Sequence, residues 1–90
     1  MRVISQDGTM DFPYEISTIF IYPRIENVIA IQSAGDSEIS IIGRYSSKEK
    51  AIKAMEMLRE AWINEAIEFT HGIYHRNAVF RFPQDDEIEV

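Results

Sequence analysis

GRYSSKEKAIKAMEMLREA, residues 43–61, decides the fold of this chain. Up to this point apolar residues come in short β-branched and aromatic runs. Within it the period changes to one of three and four. Ser46 and Glu49 stand three apart at the change, the spacing of a capping box in which each side chain bonds the other's backbone N–H. From there Ala51, Met55, Leu58, Trp62, Ala66 and Phe69 fall on one helical face. Ile52, Ile63 and Ile67 lie on its flank, and Met57 lies on the far side. Glu49 and Lys53 make a favourably oriented charge pair four apart. Gly72 is the stop signal, with His71 where a helix C-terminus favours positive charge. The pattern predicts a helix over about 47–70.

Working back toward the N-terminus, Glu38–Tyr45 (EISIIGRY) reads as a strand, with Gly43 marking a bulge or a bend. Val28–Ser33 (VIAIQS) and Ser17–Tyr22 (STIFIY) read as two more, separated by Pro23 and the turn residues Glu26-Asn27. Arg2–Ser5 and Thr9–Tyr14 frame Asp7-Gly8, the pair that favours a two-residue type I′ hairpin. Pro13 has no N–H and belongs at a strand end or edge. Beyond the helix, Ile73–Asn77 reads as a loop and Ala78–Phe82 (AVFRF) as a last strand closed by Pro83. The expected fold is α+β: an antiparallel sheet of about five or six short strands, arranged as a meander and packed on one long helix, in the order β-β-β-β-β-α-β. Residues 1–83 make the domain, and 84–90 (QDDEIEV) are expected to be an acidic, mobile tail.

Ninety residues make one domain with a modest core and no deep, walled-off cleft. The net charge is −6, and Asp85, Asp86, Glu87 and Glu89 carry most of it. The remainder holds 11 acidic against 9 basic side chains, a near balance that does not suit phosphate binding. No nucleic acid is therefore expected as a partner. There is no cysteine, which excludes disulfides, thiolate nucleophiles and cysteine zinc sites. No run reaches the roughly 18 apolar residues of a membrane span, so no membrane is expected, and the chain reads as cytoplasmic.

The strands carry more apolar surface than one helix covers. Ile19 and Ile21 alternate with Phe20 and Tyr22; Val28 and Ala30 oppose Ile29 and Ile31; Ile39, Ile41 and Tyr45 oppose Ile42. An antiparallel sheet with one solvated face shows polar residues on that side, and these strands mostly do not. Either the first hairpin folds over the second face, or the surplus is an interface. A second copy of the chain is the partner this favours, as a symmetric dimer.

The chemistry-bearing residues have plainer readings. His71 and His75 are four apart with Glu68 nearby, but Gly72 between them ends the helix that would give the spacing a geometry. They read as a capping His and a loop His. Glu56 and Glu60 belong to the polar helix face, where carboxylates stay solvated. No G-x-S-x-G, triad context or phosphate-binding glycine loop is present. Arg44, Lys48, Lys50 and Lys53 read as a solvated basic face, and Trp62 as packing. No catalytic residue, cofactor or metal is called for.

The opening MRVISQDG, the PYE that follows, the YSSKEKA helix entry and the closing FRFP resemble a group of small proteins from Gram-positive Firmicutes, their phages and integrated mobile elements. Those chains share M-R-[VI]-I-S-Q-[DN]-G, P-Y-E, Y-x-[ST]-x-E-[KR]-A and a short aromatic strand near the end. The specific part of the resemblance covers residues 1–15 and 43–60. It implies a phage or mobile-element accessory protein, with no activity and no catalytic residues to carry over. A turn accounts for Asp7-Gly8, but no turn accounts for Gln6, Tyr14 or Glu15.

The candidate interface is accordingly Gln6, Tyr14, Glu15, Phe20, Tyr22, Ile63 and Ile67. The expected function is a non-enzymatic protein–protein interaction module that forms a homodimer, with a host protein as the other candidate partner. The alternative is an acidic inhibitor or regulator that occupies a basic, nucleic-acid-binding site on a host protein.

Overall fold

The computed structural model describes residues 1–70 and 78–90, with the side chains of 66–70 left out of the description. The elements are β1 (Arg2–Ile4), β2 (Asp11–Pro13), β3 (Ser17–Ile21), β4 (Val28–Ser33), β5 (Ser40–Arg44), α1 (Lys48–Thr70) and β6 (Val79–Arg81). Single 3-10 turns occupy Tyr14–Ile16 and Asp85–Glu87. The chain is α+β, but its strands do not form one meander. They form two three-stranded sheets, β2-β1-β6 and β3-β4-β5. The second is an antiparallel meander. The first is mixed, because β6 returns from the helix parallel to β1.

The break between the sheets falls at Pro13-Tyr14-Glu15-Ile16. Pro13 cannot donate to a ladder. The chain turns there through one 3-10 turn, closed by the Ser17 N–H donating to Tyr14 O. The Ser17 hydroxyl donates to Pro13 O at 2.6 Å. β2 and β3 are thereby set in different directions instead of pairing.

Local chemistry differs from the simplest reading at two other places. Asp7-Gly8 is not a type I′ turn, since only Gly8 of the two has a positive φ, +77°. The Gly8 N–H donates to Ser5 O, and the Asp7 carboxylate accepts from the Ser5 and Thr9 hydroxyls and the Thr9 N–H. Aspartate side chains hold such turns by bonding backbone two residues on. At the helix start the cap is Ser47, not Ser46. The Lys50 N–H donates to Ser47 Oγ at 3.2 Å, while the Ser46 N–H goes to Asp85 Oδ1 at 2.8 Å. No Ser46–Glu49 capping box forms. Lys53 likewise sits 3.9 Å from Glu56 rather than pairing with Glu49.

Gly43 does mark a bulge. Ile29 pairs with Gly43 and Ala30 with Ile41, so Ile42 is the extra residue of β5. A side chain at position 43 would come within 3.1 Å of the Tyr45 ring. Glycine lets that ring lie against the strand.

Val3, Ile29, Ile31, Ile42, Tyr45, Phe82 and the helix residues Ala51, Ala54 and Leu58 make one core, shared by both sheets. The sheets are joined at Gln6. Its backbone N–H donates to Ile42 O, its Nε2 donates to Arg44 O and Pro83 O, and its Oε1 accepts the Arg44 N–H at 2.8 Å. Gln6 O accepts from Gln84 Nε2 and from the Arg81 guanidinium.

The segment 84–90, expected as an acidic, mobile tail, makes contacts with the rest of the chain. Ile88 is 4% exposed and belongs to the core. Asp85 accepts from the Ser46 N–H and from the Lys50 ammonium, and Tyr45 donates its hydroxyl to Pro83 O at 2.8 Å. An apolar anchor two residues from the end holds the charged residues around it in place. No described helix is long and apolar enough to cross a membrane.

Two substitutions test this frame. Ile88→Ala is expected to cost about 2–4 kcal/mol of unfolding free energy in urea, as for a buried Ile; a freely mobile segment would leave the midpoint unchanged. Gln6→Ala is expected to cost about 2 kcal/mol, because it strips partners from three backbone groups at once.

Candidate functional site

One groove gathers Tyr14 and Glu15, two of the residues that the sequence pointed to and that its turns left unexplained. It lies between the 3-10 turn, the start of β3 and the middle of α1, with a volume of about 530 Å³. Tyr14 and Glu15 come from the turn, Ser17 and Ile19 from β3. Met55, Leu58, Arg59 and Trp62 come from three successive turns of the helix, the three-and-four spacing that puts them on one side. Tyr14 and Trp62 form the aromatic floor, with ring centroids 4.8 Å apart and planes inclined by 34°. Tilted aromatic pairs at this distance contribute about 0.5–1.5 kcal/mol beyond their buried area.

The polar rim is spoken for. The Glu15 carboxylate accepts a hydrogen bond from the Met1 ammonium, which holds its pKa below the usual carboxylate range against a small opposing effect of burial. Glu65 Oε1 lies 3.9 Å from the same ammonium. The Ser17 hydroxyl is spent on Pro13 O. Arg59 is exposed at the rim.

A second groove, of about 460 Å³, follows the other end of the same strand. Ile21, Tyr22 and the β3–β4 turn through Asn27 line it, with Lys48 across from them. Asn27 takes the left-handed conformation, φ 58°, that this turn needs.

The candidate residues separate into three places. Tyr14 and Glu15 meet in the main groove. Ile63 is 54% exposed on α1, next in sequence to Trp62. Ile67 belongs to α1, and its side chain lies outside the described residues, as do His71 and His75. Phe20 and Tyr22 lie together on the opposite face of β3 from Ile19 and Ile21, ring centroids 6.3 Å apart and both half-buried. Gln6 is in neither place; it joins the two sheets. The sequence reading missed Ile16, 56% exposed at the end of the 3-10 turn. Its signal was present: an isoleucine between two segments, in register with neither hydrophobic pattern. Among the described residues no group of three or more His, Asp or Glu side chains is gathered as a metal site would need.

Asp7, Glu15, Asp85 and Tyr45 are displaced away from neutrality. Three hydrogen bonds from Ser5 and Thr9 hold Asp7 down to about 2. Asp85 is held low, first by the Ser46 N–H. Burial, then the charges of Asp85 and Glu87, push the Tyr45 hydroxyl above its usual range. Comparison with family models, with curated proteins and with solved structures found no match.

A pH dependence follows from the depressed carboxylates. A carboxylate whose pKa is lower in the folded chain contributes stability that is present above its unfolded value, near 4, and is lost as pH falls toward its folded value. The midpoint of thermal unfolding is therefore expected to fall between about pH 4 and pH 2. Asp7→Asn is expected to be less stable at pH 7 and to show a shallower fall below pH 4.

Proposed function

We propose that this chain is a non-enzymatic protein–protein interaction module of phage or mobile-element origin, cytoplasmic, and paired with a second copy of itself. The observation that carries this reading is the exposure of Ile16 and Ile63, 56% and 54%, each next in sequence to a residue that lines the aromatic-floored groove. Half-exposed isoleucines favour a protein surface over water, by roughly 1 kcal/mol each on burial. The displaced pKa values support the same reading. A general acid or base works best with a pKa near the working pH, and Asp7, Glu15, Asp85 and Tyr45 are all moved away from it. A homodimer is the commonest way such a surface is covered; a host protein is the other partner of the same chemistry. The phage or mobile-element origin rests on the resemblance carried by residues 1–15 and 43–60.

The acidic-inhibitor reading keeps one observation in its favour: Asp86 and Glu89 are exposed. Asp85 and Glu87 are committed within the chain, to Ser46 and Lys50 and to the Gln84 N–H. That leaves half of the acidic residues for a basic partner.

Sedimentation velocity over a concentration series tests the first reading. A reversible dimer is expected, and a monomer that persists to about 1 mM overturns it. The paired substitution D86N/E89Q separates the two readings without disturbing Ile88. Assembly and partner binding are expected to survive it, whereas a phosphate-mimicking segment would lose its target.

A further inference from the structure

The outer edge of β3 is a five-residue strand edge that the described chain leaves open along its length. In the β3–β4 ladder the Tyr22 N–H donates to Val28 O and Ile16 O accepts from the Ala34 N–H, with Ile19 opposite Ile31. Bonded positions alternate along an antiparallel ladder. Residues 16, 18, 20 and 22 therefore face β4, and Ser17, Ile19 and Ile21 turn their backbone groups outward. The Ser17 N–H is used by Tyr14 O. No strand lies beyond β3 among the described residues. Open grooves border this edge at both ends, one touching Ser17 and Ile19, the other Ile21 and Tyr22.

The remaining edges are partly closed or blunt. At the C-terminal end of β5 the outward groups are Ile42 O and the N–H and C=O of Arg44, and Gln6 takes all three; Ile41, opposite Ala30, also turns its backbone outward, beyond the reach of Gln6. β2 and β6 are three residues long and carry Asp11 and Pro13, and Arg81. Shortness, proline and charge are the usual protections of an edge. β3 has five residues, STIFI, with no charge and no proline, the composition that pairs most readily with another strand.

We propose that β3 is the seam of the homodimer: the strand adds antiparallel to β3 of a second copy, about a two-fold axis at Ile19, giving a continuous sheet β5-β4-β3-β3-β4-β5. This rests on the reading that the chain self-associates and names the surface that does it. An antiparallel edge is its own complement, which favours a second copy over an unrelated chain. The register centred on Ile19 overlaps all five residues and matches outward groups with outward groups: Ser17 meets Ile21 of the second copy, and Ile19 meets its own equivalent. It also sets the exposed Ile16 opposite Tyr22 of the second copy.

Residue-resolved amide hydrogen exchange, run on the full chain below and above the dimerisation midpoint, tests this directly. The amides of Thr18, Phe20 and Tyr22 are expected to be protected in both states, since they bond β4. Those of Ile19 and Ile21 are expected to slow at least about tenfold only in the dimer. Ile16→Lys, at an exposed position, is expected to leave the monomer folded and weaken the dimer about tenfold or more. A dimer in which the Ile19 and Ile21 amides exchange as in the monomer, and which tolerates Ile16→Lys, overturns the seam and leaves self-association standing. A monomer at every concentration overturns both.

Discussion

A glutamine side chain stands in for a strand in this fold. Gln6 presents one acceptor and one N–H pair at the end of its side chain, the same groups a peptide unit presents. It adds them to its own backbone N–H along the outer edge of β5. An alanine or an apolar residue there would leave Arg44 unpaired in both directions. A glutamate would offer no donor to the carbonyls of Arg44 and Pro83. Because Gln6 follows β1 directly, this single residue fixes how the β2-β1-β6 sheet sits against the β3-β4-β5 sheet. It also fixes where Pro83 must pass. Position 6 is thus a structural residue whose importance comes from what it closes rather than from what it offers a partner.

That closure gives the molecule its asymmetry. Two three-stranded sheets have four edges between them, and an open edge is a liability in water. One is sealed over its C-terminal end by Gln6, and two are kept short and charged. The fourth, β3, is neither short nor charged nor sealed. A surface treated differently from its equivalents within the same chain asks for a reason of its own. Here the edge borders the groove with the Tyr14–Trp62 floor.

Much of this was legible in the sequence, for reasons that can be named. The helix was clear because Ala51, Met55, Leu58 and Trp62 keep their spacing over three turns, and α1 begins at Lys48, within a residue of the expected start; Gly72 lies outside the described residues. The strands were clear because β-branched runs are cut by Pro23, Asn27, Gly35 and Pro83. Pairing was not legible. Whether β2 joins β3 or β6 joins β1 depends on contacts across nearly the whole chain, and local propensity carries no term for them. The type I′ reading of Asp7-Gly8 failed for a related reason: the Asp7 side chain bonds Ser5 and Thr9 and rewards a wider loop. No turn explains Gln6, and no local pattern points to its side-chain partners, which are 38 and 77 residues away.

The acidic end shows how charge counting misleads when one apolar residue sits among the charges. QDDEIEV scores as a solvated tail because Ile88 is averaged away. Yet the free energy of burying one isoleucine, roughly 1.5–3 kcal/mol, is enough to hold a short segment that must also satisfy few backbone groups. Once Ile88 is seated in the core, Asp85 is carried to the start of α1, where its carboxylate takes the Ser46 N–H and faces Lys50. The first turn of a helix is its positive end, so an anion there is favoured. The charge that looked disposable thus completes the helix start that Ser46 and Glu49 were expected to make on their own. The unfilled capping box and the docked acidic segment are one structural fact: the amide of Ser46 has a single hydrogen to give, and Asp85 receives it.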